Sequence, residues 1–239
     1  MRLDAATFLL QWSTGGLAFL WFTLRSKEIS LGYSKLLRAT YGVLAALGVA
    51  AGFYFDRVLI REVAGIVVAG IAFATFAKRE SRTDLFAVAV GAVGLIGSVV
   101  ASGGGLVDLL RVLVGAAFLG AITDLMLLGH WYLVQPGMTR KLLNELTTAV
   151  LFIWPLEVVV MILPTGMISV LNGSIDDGWN GILGYFWLGC AALTGLLAFF
   201  TRAALKERSY SAVMAATGLS YLAILTAFCT DIVGRALLA

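Results

Sequence analysis

The chain has 239 residues, of which 60% are hydrophobic and 13% charged, with 17 Lys and Arg against 14 Asp and Glu. A mean hydropathy of +0.95 excludes an ordinary water-soluble domain, in which about a quarter of residues are charged. At about 20 residues per crossing, the length is consumed by membrane spans and leaves none for a separate soluble domain. The net charge of +3 follows membrane orientation, so it gives no reason to expect a nucleic-acid partner.

Uncharged runs bounded by charges predict eight helices, at 7–24, 37–56, 61–77, 84–101, 106–134, 143–163, 181–201 and 210–235. The first is read as a retained helix, because no A-x-A-like cleavage site follows it. The turn signal Gln135-Pro136-Gly137 separates the fifth from the sixth. Twelve of the 17 basic residues fall in four segments, 25–38 (Arg25, Lys27, Lys35, Arg38), 78–82 (Lys78, Arg79, Arg82), 140–141 (Arg140, Lys141) and 202–208 (Arg202, Lys206, Arg208). These occupy every second gap between spans, and basic residues collect on the cytoplasmic side. The expected fold is therefore an all-α, polytopic integral membrane helix bundle, one transmembrane domain over residues 1–239, with both termini non-cytoplasmic. A bacterial inner membrane is the expected location. The remaining basic residues are Arg2, Arg57, Arg61, Arg111 and Arg235. The other-side connections are 56–62, 102–105 and the longest, 164–180.

Small residues recur four apart at Gly48/Gly52, Ala87/Gly91, Gly94/Ser98 and Ala216/Ser220, a spacing that lets helix backbones approach closely. Packing within the chain explains it without dimerisation. Within residues 12–56 and 189–235, an ungapped alignment matches Leu20/Leu197, Phe22/Phe199, Arg25/Arg202, Tyr33/Tyr210, Ser34/Ser211, Ala39/Ala216 and Thr40/Thr217. A duplicated hairpin would give a parallel repeat, an organisation some transporters use.

Ionisable residues at membrane depth are costly and often functional. Asp124 stands about 15 Å, ten residues, from the end of the fifth helix, near the middle of a core about 30 Å thick. Helical spacing places it on one face with Ala117, Gly120, Leu128, Trp131 and Gln135. Glu157 follows Pro155 in the sixth helix, where the proline frees the Leu151 carbonyl. His130, the single histidine, lies near the cytoplasmic interface at a depth similar to Glu145, so a contact between them is expected, either as a hairpin hydrogen bond or in a proton or quinone-headgroup role. Asp231/Arg235 and Asp108/Arg111 form i,i+4 and i,i+3 pairs in an outer charged cluster.

One histidine cannot supply both axial ligands of a haem, so a bis-histidine haem held by this chain alone is excluded. Cys190 and Cys229 read as small buried apolar residues, without CxxC spacing or metal-ligand clustering. The phosphate-binding and hydrolase motifs are missing. The sequence supports a membrane-embedded subunit of an energy-converting or transport assembly, handling protons, a quinone or a coupled ion through buried acids, with the lipid bilayer and other membrane subunits as partners. The alternatives are a stand-alone small-solute or ion transporter, and a structural or assembly subunit without its own chemistry. An intramembrane enzyme lacks a nucleophile with a base and an orienter.

Overall fold

In the computed structural model, which describes residues 4–26, 28–78, 82–135 and 137–238, Asp4 begins the first helix by accepting from Thr7 N at 2.8 Å. This cap satisfies one of the free N–H groups of the first turn. Arg2, Lys27, Arg79 and Pro136, named above, lie outside the described residues. The helices are α1 (Ala5–Leu24), α2 (Leu31–Phe55), α3 (Leu59–Ala74), α4 (Thr83–Ala101), α5 (Leu106–Val134), α6 (Lys141–Ile162), α7 (Gly166–Leu171), α8 (Ile182–Lys206) and α9 (Tyr210–Leu237). No strand occurs among the described residues.

Each predicted helix has its counterpart, and a six-residue helix, α7, is added inside the long connection. Several boundaries move outward past charges. α2 begins at Leu31 rather than 37, taking Lys35 into its first turns. α8 extends to Lys206 rather than 201, taking in Arg202. Long basic side chains tolerate this by carrying the charge away from the apolar stem. Lys35 Nζ lies over the Phe76 ring at 5.7 Å, and Arg25 caps the Trp21 ring at 5.3 Å.

Six helices among the described residues are long and apolar enough to cross a membrane: α2, α4, α5, α6, α8 and α9. α3 is shorter, at 16 residues, and α1 carries the polar run Gln11-Trp12-Ser13-Thr14 at its middle. Large apolar side chains point outward along the bundle, including Phe55 (75% exposed), Val100 (70%), Phe152 (72%) and Leu225 (64%). Exposed apolar surface on this scale requires a solvent other than water. The protein is an all-helical membrane-type bundle.

The chain divides into two compact units, Leu3–Asp124 and Leu125–Ala239. In the first, α1 packs on α2 and α4 while α3 packs on the same two helices, closing a four-helix ring. The first part of α5 joins it by close backbone approach. A Cβ on Gly15 would stand 1.7 Å from the Ala116 carbonyl oxygen, and one on Gly120 would stand 2.2 Å from the Gly15 carbonyl carbon. The other small residues also serve packing within the unit. Gly91 meets Thr14, and Gly94 meets Ala64 and Leu10, while Ser98 Oγ hydrogen-bonds Thr7 Oγ1 at 2.6 Å.

The second unit is built on the α8–α9 hairpin, against which α6 and α7 pack. Met161, Met167, Val170 and Trp187 form its buried apolar centre. α6 continues through Pro155 as one helix. Within the aligned hairpins, Tyr33 is fully buried whereas Tyr210 is 51% exposed.

Candidate functional site

Asp124 is completely buried. In the first unit, α2 supplies two tyrosines to it: Tyr41 Oη donates to Asp124 Oδ1, and Tyr33 Oη lies 3.5 Å from the Asp124 carbonyl oxygen. Both rings are fully buried. Tyr41 reaches this position because residue 16 is glycine; a Cβ there would stand 2.1 Å from the ring's Cε1. Ser13 Oγ donates to the Tyr41 carbonyl at 2.8 Å, and Trp12 Nε1 donates to Thr123 Oγ1 at 2.9 Å. α1 therefore holds both the tyrosine-bearing helix and the acid-bearing helix. Asp124 Oδ2 has no hydrogen-bond partner among the described residues.

The other buried acids of this unit are neutralised by arginine. Arg38, fully buried, grips Asp84 through Nε at 3.3 Å and Nη2 at 2.7 Å. Its Nη1 donates to the carbonyls of Thr75, at 3.0 Å, and Lys78. This corrects the reading of Arg38 as a charge of the gap between the first two spans. A buried guanidinium is stable here because its planar fork meets a carboxylate and two backbone carbonyls at and just beyond the end of α3.

At the opposite ends of the same helices, Arg61 bridges Asp4 at 2.8 Å and Glu62 at 2.8 Å, and also donates to Thr7 Oγ1 at 3.1 Å and to the Asp56 carbonyl. Glu62 Oε1 accepts from Val58 N at 3.2 Å, securing the start of α3. Its carboxyl fits because residue 52 is glycine; a Cβ there would stand 2.1 Å from Oε1. The expected Asp108–Arg111 pair forms at 3.4 Å.

In the second unit, Glu157 is fully buried on α6, one turn before Met161. Asp231 is fully buried and Arg235 nearly so, paired at 3.8 Å as expected. The expected His130–Glu145 contact is replaced by others: Tyr221 Oη lies 3.2 Å from His130 Nδ1, with the two rings edge to face, and Glu145 pairs with Lys141 at 3.9 Å. Glu145 and Lys141 are i,i+4 on α6, a spacing that satisfies the acid locally. His130 is exposed. Arg140 donates to the carbonyls of Glu207, Arg208 (2.8 Å) and Ser209 (2.9 Å), tying the α5–α6 connection to the end of α8.

Outside the spanning helices, Asp177 accepts from the backbone N–H of Trp179 (2.9 Å), Gly181 (2.8 Å), Leu183 (2.8 Å) and Gly184 (3.4 Å). The chain wraps around the carboxylate with positive φ at Gly178, Asn180 and Gly181, conformations that favour glycine and asparagine. Desolvation pushes the Asp177 carboxyl up, but the four backbone donors outweigh it and hold the group below the usual carboxylate range.

Among the described residues, no group of three or more His, Cys, Asp or Glu side chains is arranged to hold a metal ion. The fold and the buried acid define an all-helical membrane-type bundle with a tyrosine-bound interior carboxyl. No protein-family model, curated protein or solved structure matches the chain.

Proposed function

We propose that the protein is a membrane-embedded subunit of an energy-converting or transport assembly, and that Asp124 is the group through which it handles a proton. One observation carries this reading. Asp84 and Glu62 each meet an arginine, whereas Asp124 meets only tyrosine hydroxyls and no Lys or Arg among the described residues. A carboxyl held in low dielectric without a cation must change its protonation state to change its charge. Tyr41 supplies a hydroxyl that can both give and accept a hydrogen bond as that happens. Glu157 is the second proton-handling group in this reading, and a quinone is the proton-coupled partner it would serve.

The proposal includes eight crossings, adding α3, which is short at 16 residues, and α1, whose middle is polar, with their polar faces covered by the ring of the first unit. The basic connections lie in the cytoplasm of a bacterial cell and both ends of the chain outside the inner membrane. A reporter fused after Ala239 should then be active on the outer side only.

The deciding experiment substitutes Asp124→Asn and Glu157→Gln and measures proton flux in membrane vesicles containing the protein and whatever membrane subunits co-purify with it. Inserted protein with flux reduced about a hundredfold or more, the size of one removed proton-transfer group, supports the reading. Normal flux in both variants removes its basis. The two arginine networks favour a second reading, a structural subunit in which buried charges are clamps. There, both substitutions would lower thermal stability or complex yield with turnover per assembled complex unchanged. Uptake by the purified chain alone in liposomes would instead identify a stand-alone transporter.

A further inference from the structure

Cys190 lies on α8 and Cys229 on α9, and two contacts set the register of these helices around them. Thr194 Oγ1 donates to Thr226 Oγ1 at 2.7 Å, and Trp187 Nε1 donates to the Thr230 carbonyl at 3.1 Å. Thr194 is one turn beyond Cys190, and Trp187 is about one turn before it. On the antiparallel partner, Thr226 is about one turn before Cys229, and Thr230 is its neighbour. The two contacts therefore bracket the sulfurs on facing sides of the hairpin. Both are free; Cys190 is buried and Cys229 partly exposed on a helix whose neighbouring Leu222 and Leu225 face outward. In the membrane reading, that exposed side is lipid, so an apolar reagent reaches Cys229 while water-soluble ones do not.

We propose that Cys190 and Cys229 form a redox-convertible thiol pair that a lipid-soluble two-electron oxidant of the quinone class closes into a disulfide joining α8 to α9. Two S–H bonds break and one S–S bond forms. The two electrons and two protons released reduce the quinone to its hydroquinone, so the step balances without a further reactant. No third sulfur or nitrogen ligand completes a metal site among the described residues, which leaves the disulfide as the chemistry suited to two facing thiols. The disulfide closes a loop through the α8–α9 connection and restrains the hairpin on which the second unit is built.

The test uses the full chain purified in detergent and treated with a short-chain benzoquinone. It is then quenched in acid, unfolded and labelled with a maleimide for intact-mass measurement. The expected result is two labels per chain before treatment and none after, with the monomer lighter by two hydrogens and both labels restored by dithiothreitol. Oxidation should be more than about tenfold faster than in chain unfolded in sodium dodecyl sulfate, because the fold holds the sulfurs together. Cys190→Ser and Cys229→Ser should each keep one label under the same treatment. Retention of both labels by the folded wild-type chain overturns the proposal, as does a quinone–thiol adduct, a disulfide-linked dimer or an equal rate in the unfolded chain. The wild-type result stands even if a serine variant fails to fold.

Discussion

Arg38 and Asp84 meet side-on, two guanidinium nitrogens against two carboxylate oxygens, 3.3 Å and 2.7 Å apart, with neither residue exposed to solvent by more than 1%. Removing either partner strands the other charge. Arg38→Gln or Asp84→Asn should each destabilise the first unit by about 3–5 kcal/mol. The double variant should lose less than the sum of the two, because no charge is then left alone. Thermal unfolding in detergent, monitored for all three variants, checks this; strict additivity would mean that the pair does not act as one.

Tyr41→Phe removes the hydrogen bond to the Asp124 carboxyl while keeping the ring. The expected cost is about 1–3 kcal/mol, the desolvation of a buried polar group left without its partner. Gly16→Ala should act on the same contact from the other side, since its Cβ would overlap the Tyr41 ring. Stability curves for both variants test this, and an unchanged midpoint in Gly16→Ala would show that the ring is free to move.

Glycines of α3 and α5 should respond in opposite directions to the same substitution. Gly120→Ala forces a methyl group against the Gly15 backbone, 2.2 Å away, and should cost about 1–3 kcal/mol or more. A Cβ at Gly70 meets nothing within 4 Å, so Gly70→Ala should be neutral or stabilising by up to about 1 kcal/mol through reduced backbone freedom. Parallel unfolding measurements on the two variants distinguish close helix packing from a general dislike of larger residues.

Asp177 should give the loop before α8 a pH dependence. Because its folded carboxyl is held below the usual range, the stabilisation is fully present above the unfolded value of about 3.9 and is lost as pH falls through the lower, folded value. Amides of Trp179, Gly181 and Leu183 should keep their hydrogen-exchange protection, after correction for the intrinsic pH dependence of exchange, down to about pH 4 and lose it below that. Asp177→Asn should reduce protection at neutral pH and abolish the acid transition. An identical transition in that variant would assign it to another group.

The helices were legible because long uncharged runs have few alternatives in a chain this apolar. Their ends were less so: charge was used to start α2 at residue 37, whereas the helix runs back past Lys35 to Leu31, with Arg38 buried inside it beside Asp84. That partner is 46 residues away, so no local pattern announces the pair. Asp124 stood out as an acid surrounded by apolar neighbours, whereas nothing local marks Tyr33 and Tyr41 as its partners; the register of α2 against α5 aims their hydroxyls. The Ala116-x-x-x-Gly120 spacing could have marked the α1–α5 approach, since it has the same small-residue form as the motifs recognised on α2 and α4. Cys190 and Cys229 carry no local signal at all; their meeting follows from the antiparallel register of two helices.

The close fit of α1 against α5 also sets an order of events during biosynthesis. Trp12 and Thr123, which hydrogen-bond across it, are separated by 111 residues, so a ribosome must deliver most of the first unit before α1 acquires this last neighbour. Until then the face bearing Gln11 to Gly16 must be sheltered by α2 and α4, by insertion machinery or by retained water. Maturation of this unit is thus a late closing step, and slowing synthesis between α4 and α5 should lengthen the life of a protease-sensitive, half-built ring.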